Sequence, residues 1–312
     1  MDDDNSINDV MKNGISVGFI GCGTIASSIA TGLVLAHNKE NDRVTKIKSM
    51  IISKRSESKS NELKEKFDND NSSFSFDITE NNQEIVNQAD IIFLTVLPTQ
   101  AKDVLNSLKF DPKRHILISL VSTTNLEQLA NYSKLNLSNV SKMICLPSIA
   151  RHEGIALLCC GGNDSTSNDD TGDKKISNKV LLKSIFNSMG GCVVLDTEYD
   201  LEACMVTTCT MGPLYGTMKK QRDWLLDNTN GLTKTDATNL VLKQFQDNDS
   251  ADTEDNTDID MLEHLINEQT PGGLNEQALK NYSILGGLHN IQQKVMDLIV
   301  NRIRGISNGE IK

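Results

Sequence analysis

The segment Gly18-Phe19-Ile20-Gly21-Cys22-Gly23-Thr24-Ile25-Ala26 joins an apolar run, Ser16 to Ile20, to a stretch from Ile25 to Ala36 that is apolar at helical spacing. A chain that passes from buried strand to helix through two alternate glycines has few folds open to it. Gly21 permits the tight turn, Gly23 lets another group approach the backbone, and the small Ala26 lets helix and strand pack closely. The free N–H groups that open the helix then form an anion site. A second apolar strand, Ile47 to Ile52, follows at the distance of a βαβ unit. Together these features point to a bound dinucleotide, with its pyrophosphate on Gly21, Gly23, Thr24 and Ile25.

The rest of the N-terminal part repeats the alternation. Asp90 to Val96 reads as a strand buried on both faces, ended by Pro98, and Thr99 to Leu108 as a helix. His115 to Val121 is a further strand, followed by a helix from Thr124. Met143-Ile144 and Ile155 to Cys160 read as short strands, Val180 to Met189 as a helix and Cys192 to Leu195 as the last strand. Strand and helix in turn give a doubly wound parallel sheet. After Leu195 the strand signal stops. Leu201 to Leu226, Asp236 to Phe245, Ile259 to Glu268 and Glu276 to Val300 all read as helices. The organisation expected is a disordered lead over 1–14, a Rossmann-type α/β domain over 15–197 and an all-helical domain over 198–312. Polar acidic inserts near 163–173 and 246–258 read as surface loops.

The end of the second strand selects the cofactor. An acidic residue there would hold the ribose 2′-OH of NAD. The chain instead reads Ile52-Ser53-Lys54-Arg55-Ser56. Ser53, Arg55 and Ser56 can hydrogen-bond a 2′-phosphate, and arginine does so bidentately. NADPH is therefore expected over NADH.

Composition removes other classes. The formal net charge of −11 disfavours nucleic acid and anionic membrane as partners. No apolar run approaches a membrane span, and Met1-Asp2-Asp3-Asp4 lacks a signal-peptide core. Seven cysteines, an odd number without a Cys-x-x-Cys, fit buried thiols in a reducing, cytoplasmic setting. The five scattered histidines suggest no metal. Trp224 is expected to pack between helices, and Arg151-His152-Glu153 to form a solvated turn.

Thr270-Pro271-Gly272-Gly273-Leu274-Asn275-Glu276 precedes a helical pattern. Proline fixes φ there and the paired glycines open conformations closed to other residues. Alone this is an inter-helix turn. Behind a dinucleotide domain it becomes a place where backbone N–H groups can meet a small carboxylate.

From about Ser16 to Val300 the chain resembles the pyrroline-5-carboxylate reductase family. The landmarks fall in that family's order: the Gly21 turn, Arg55-Ser56, Ala89 to Val96, Leu146-Pro147, Met189-Gly190-Gly191, Glu198, Gly212-Pro213 with Tyr215, and Thr270-Pro271-Gly272-Gly273. Four of the five prolines, Pro98, Pro147, Pro213 and Pro271, match its proline positions. The resemblance implies NADPH-dependent reduction of a cyclic imine, 1-pyrroline-5-carboxylate, to L-proline. It implies cofactor contacts from Val96, Leu97, Pro98, Pro147 and Ser148, and hydrogen bonds at the reacting centre from Thr210 and Thr270. It places the substrate carboxylate on Gly272, Gly273, Leu274 and Asn275, and implies a homodimer or higher homo-oligomer built through the helical domain. The chain departs from the family at Leu97, at Ser148 for asparagine, and at Leu274-Asn275 for paired threonines. Two further readings stay open: a paralog reducing another small imine or carbonyl acid, and an NADPH-binding regulatory protein without turnover. A β-hydroxyacid dehydrogenase would need Lys-x-x-Asn, which Lys219-Lys220-Gln221-Arg222-Asp223 does not supply.

Overall fold

The computed structural model describes residues 13–39, 46–54, 57–69, 74–162, 177–209, 211–244, 281, 284–285, 287, 291 and 293–306. Its centre is a sheet of eight strands in the order β3-β2-β1-β4-β5-β6-β7-β8. The strands are β1 (Ile15–Ile20), β2 (Ile47–Ser53), β3 (Ser75–Thr79), β4 (Ile91–Leu94), β5 (Ile116–Ser119), β6 (Val140–Ile144), β7 (Ala156–Cys160) and β8 (Cys192–Leu195). Helices α1 (Thr24–His37), α2 (Glu57–Asn69), α3 (Asn82–Gln88), α4 (Pro98–Asn106), α5 (Leu126–Ser133) and α6 (Asn178–Asn187) connect them.

β1, β4 and β5 are buried along their whole length, as their continuous apolar runs require in a sheet covered on both faces. Alternation along each strand sorts the side chains into two cores. Phe19 and Phe93 stack at 4.8 Å on one face, with Ile29, Leu33 and Phe186 in the same cluster. Ile20, Ile92 and Leu94 turn to the other, beside Ile85, Leu105 and Leu129.

The Rossmann-type order is as expected, but the sheet is mixed. β6 pairs with β7 antiparallel, while every other neighbouring pair is parallel. The link between them holds only a short 3-10 turn, Pro147–Arg151, too little for a parallel crossover. α6 then supplies the crossover that makes β7 and β8 parallel. β3 and α3 were not expected from the sequence. β3 is a half-exposed edge strand with a polar sequence, and α3 has only seven residues. Pairing with β2 and packing on β1 form them, not an apolar period.

Compactness divides the chain between Cys204 and Met205, inside α7 (Glu198–Cys209). Beyond it α8 (Met211–Asn228) packs on α9 (Lys234–Gln244), with Ala237 and Val241 buried, and α10 (Gln293–Ile303) follows. Trp224 does not pack between helices: it is 63% exposed, with Tyr215 also exposed. The lead over 1–12 and the polar inserts at 163–173 and 246–258 lie outside the described residues. Among the described residues no helix is long and apolar enough to cross a membrane, and no cluster of His, Cys, Asp and Glu could hold a metal.

Burial sets the chemistry of the thiols. Desolvation pushes Cys145 up to about 12, and Cys159 and Cys192 up to about 11. At pH 8 their thiolate fraction is about one in a thousand or less, so the folded protein should resist iodoacetamide at these three positions. Peptide mapping after brief labelling measures this; rapid modification of any of the three in folded protein contradicts it.

Two buried histidines tie stability to pH. Burial pushes His37 below the usual imidazole range, and the Lys46 charge acts the same way. His37 Nδ1 accepts the Ile47 N–H at 2.9 Å. Burial likewise lowers His115, with Arg114 adding to it and Asp111 and Asp90 opposing. The unfolded chain binds protons near pH ~6.5 that the folded state refuses. Stability is therefore complete above about pH 6.5 and falls as the pH drops toward the lowered folded values. The denaturation midpoint should decrease from pH 7.5 to 5.5, and less steeply in His37→Gln. An unchanged slope in that variant removes His37 from the account.

Candidate dinucleotide site

The glycine-rich turn is held between two neighbouring strands. Gly21 has φ +109°, a region open to glycine, and its N–H donates to Ser53 Oγ at 2.8 Å. A Cβ on Gly21 would lie 2.6 Å from the Thr95 carbonyl oxygen. The Thr95 hydroxyl lies 3.2 Å from the carbonyl oxygens of Ile20 and Gly21, and its N–H donates to Ile20 O at 2.9 Å. The end of β2 thus braces the turn from one side and the segment after β4 from the other. Ser53 is buried and its oxygen already accepts from Gly21. It shapes the turn, and so is not the free surface ligand that the sequence suggested.

Gly23 differs. It caps α1 at φ −89° and ψ −175°, and no side chain supplies a cap hydrogen bond. A Cβ there would meet nothing within 4 Å. No neighbour and no backbone conformation calls for glycine, and the open space lies where an incoming ligand would reach the helix N-terminus. The first turn of α1 has no acidic residue. Thr24 is exposed and accepts from Lys59 Nζ at 3.0 Å. Ile25 is half-buried and Ala26 fully buried against the sheet. Cys22 beside it is no nucleophile: burial raises its thiol, though Ser27 and Lys59 pull the other way.

The remaining walls come from the same edge of the sheet. β1, β2, β4, β5 and β6 are mutually parallel, so the segments leaving their C-terminal ends share one side. Ligands of open α/β sheets bind there, at the switch in strand order between β1 and β4. Val96 is half-buried, Leu97 is 64% exposed at the N-cap of α4, and Pro98 follows as its first residue. After β6, Pro147 is exposed and Ser148 half-buried on the 3-10 turn. That turn is fixed to α1: a Cβ on Gly32 would lie 2.7 Å from Ile149 O. His152 is half-buried. Its Nδ1 lies 2.7 Å from Lys39 Nζ and its Nε2 2.8 Å from Gly32 O. An ammonium only donates and a carbonyl only accepts, and the tautomer with its proton on Nε2 satisfies both contacts. Arg151 and Glu153 pair with each other at 2.7 Å in solvent.

A cavity of about 250 Å³ lined by Val34, Leu35, Asn38, Lys66, Phe67 and Arg151, among others, lies along the C-terminal half of α1, away from Gly23. Arg55, Ser56, Thr210, Thr270, Gly272, Gly273, Leu274 and Asn275 lie outside the described residues. Two residues with no sequence-based expectation stand beside the turn, Thr95 and Lys59. Thr95 stood in the quoted strand without a role. Lys59 lies four positions after Arg55 in the sequence, close to the residues that select the cofactor.

Residues 16–123 match a family described as NADP oxidoreductase, coenzyme F420-dependent. Pyrroline-5-carboxylate reductase 1 of Dictyostelium discoideum is 27% identical over 201 residues, 63% of this chain and 33% of that protein. Pyrroline-5-carboxylate reductase 2 of the same organism is 24% identical over 205 residues, 64% of each chain. The chain thus spans a third of the first relative and less than two thirds of the second. The crystal structure of Plasmodium falciparum pyrroline carboxylate reductase with NADP bound superposes over 94% of this chain and 98% of that one, with TM-score 0.68 and 20% identity. Over about 200 residues the chain is thus similar to pyrroline-5-carboxylate reductases, and it shares their fold.

The chain has the parts of a dinucleotide cradle that need backbone. Gly21, Gly23 and the uncapped first turn of α1 fit a pyrophosphate, and Gly23 has room for it. Where the chain departs from the family it resembles, at Leu97 and Ser148, the side chains stand exposed and half-buried at the rim.

Proposed function

We propose that the protein reduces 1-pyrroline-5-carboxylate to L-proline with NADPH, the last step of proline biosynthesis. The observation that carries this reading is the open, uncapped Gly23 turn at the strand-order switch of a chain similar to these reductases. The N-terminal α/β domain, through 197, holds the dinucleotide. Gly21, Gly23, Thr24 and Ile25 offer N–H groups and the helix N-terminus to the pyrophosphate. Arg55 and Ser56 face the adenosine 2′-phosphate, a charge-assisted contact that favours NADPH over NADH. Val96, Leu97, Pro98, Pro147 and Ser148 form the walls beside the ribose and nicotinamide.

The bound dihydronicotinamide supplies the hydride to the imine carbon. The chain's own work is to bind and orient. Gly272, Gly273, Leu274 and Asn275 hold the carboxylate through backbone N–H groups and the Asn275 amide. Thr210 and Thr270 hydrogen-bond at the reacting centre and hold the protonated imine nitrogen in place. Such positioning contributes several kcal/mol, on the order of what intramolecular reactions gain, without a strong side-chain acid. The helical domain from 198 onward joins copies into a homodimer or higher homo-oligomer.

The assay is direct. Protein, NADPH and 1-pyrroline-5-carboxylate are mixed and the cofactor's absorbance is followed. Saturable oxidation dependent on the imine is expected. Tight NADPH binding with no oxidation above background would sink the proline reading and leave the paralog or the sensor.

A further inference from the structure

Most lysines and arginines with a described ion pair are matched to a carboxylate. Lys54 pairs with Glu80 at 3.0 Å, Lys142 with Glu198 at 3.1 Å, Lys179 with Asp196 at 3.3 Å and Lys219 with Asp223 at 2.6 Å. Lys59 is different. It is half-buried, and its ammonium rests on a neutral hydroxyl, Thr24 Oγ1, at 3.0 Å. No carboxylate lies within ion-pair distance of it among the described residues. A Thr hydroxyl satisfies one of three N–H donors, which leaves two for another acceptor.

The position is as informative as the partner. Lys59 lies in the first turn of α2, the helix that directly follows β2. Thr24 is the first residue of α1, next to the open Gly23. The ammonium therefore spans the gap between the end of β2 and the start of α1. In this topology the adenosine ribose lies over the end of β2, so its 2′-substituent points toward that gap, while the pyrophosphate is met by the N-terminus of α1. Among the described residues, the other polar groups at the end of β2 are already engaged: Ser53 by the Gly21 N–H and Lys54 by Glu80.

We propose that Lys59 is a specificity-determining residue that reads the 2′-phosphate of NADPH, with Thr24 as the arm that holds its ammonium in place. The inference rests on the dinucleotide reading of the Gly21 turn and adds to it a residue on a different element from Arg55. Lysine serves here as a point charge, so arginine can replace it in charge while altering reach.

The test compares wild type, Lys59→Gln and Lys59→Arg by titration with NADPH, with NADH and with 2′,5′-ADP against 5′-ADP. Lys59→Gln should weaken NADPH and 2′,5′-ADP at least tenfold and change NADH and 5′-ADP less than twofold. Lys59→Arg should retain most of the preference, and the thermal midpoint should be unchanged in both. Equal loss of NADPH and NADH would assign Lys59 to the pyrophosphate and overturn the proposal. Unchanged NADPH binding in Lys59→Gln would make it a surface lysine and overturn it while the dinucleotide reading stands. Wild-type protein that binds neither dinucleotide overturns both together.

Discussion

Gly21→Ala and Gly23→Ala should give opposite results. Gly21→Ala is expected to destabilise the folded state by about 2–4 kcal/mol, because three causes add. An L-residue at φ +109° is strained by about 1–3 kcal/mol. Its Cβ would stand 2.6 Å from Thr95 O, which is backbone and cannot swing away. Any shift that relieves the clash also pulls the Gly21 N–H from buried Ser53 Oγ, a hydrogen bond of about 1 kcal/mol. Gly23→Ala has none of these costs. Its backbone is extended, its Cβ would meet nothing within 4 Å, and exchanging glycine for alanine at an N-cap costs on the order of 0.5–1 kcal/mol. The added methyl stands where the pyrophosphate must approach, so dinucleotide affinity should fall at least tenfold. Chemical denaturation and nucleotide titration on the same two proteins measure both quantities. A stable Gly21→Ala protein, or a Gly23→Ala protein with full nucleotide affinity, would show the turn to be something other than a ligand cradle.

Glu198→Ala should be the more damaging half of a buried ion pair. Lys142 is buried within the sheet, with its ammonium 3.1 Å from Glu198 Oε1 and 3.3 Å from Ser122 O. Glu198 Oε1 also accepts the Leu126 N–H at 3.0 Å, which opens α5. Removing Glu198 leaves a charged amine in an apolar sheet and an unsatisfied helix N-terminus. Removal of one partner of a buried pair costs on the order of 3–5 kcal/mol. Lys142→Met removes the buried charge and leaves Glu198, a quarter exposed, with water and the Leu126 N–H. It should cost less than half as much, and the double variant should resemble Lys142→Met more than the sum of the two. A urea double-mutant cycle gives the comparison. Equal losses for the two single variants would mean that the pair is screened by water and that Lys142 is not buried in solution.

Much of the architecture could be read along the chain, and particular residues show why. Phe19, Ile92 and Ile118 sit in unbroken apolar runs, and a sheet covered on both faces leaves no other placement for them. The Gly21 turn announced itself because strand, glycine and helix must follow in that order. β3 and α3 gave no such signal. Thr79 and Asn82 belong to short polar elements whose stability comes from neighbours far along the chain. The antiparallel β7 was equally hidden, since Ala156 to Cys160 has the same apolar character whichever way it runs. The length of the link before it decides its direction, and the exposed Trp224 likewise follows from packing and not from its residue type.

The sequence by itself determined the α/β order and the glycine turn, because each rests on local periodicity or on backbone freedom at fixed positions. Only the tertiary structure decided what the side chains around the turn do. It gave Ser53 to the Gly21 N–H, set Thr95 against the turn from the neighbouring strand, left Gly23 open, and brought Lys59 to Thr24 across 35 residues of chain. Those pairings join residues that are distant in sequence, and a hydrogen bond depends on separation in space, which no local pattern records.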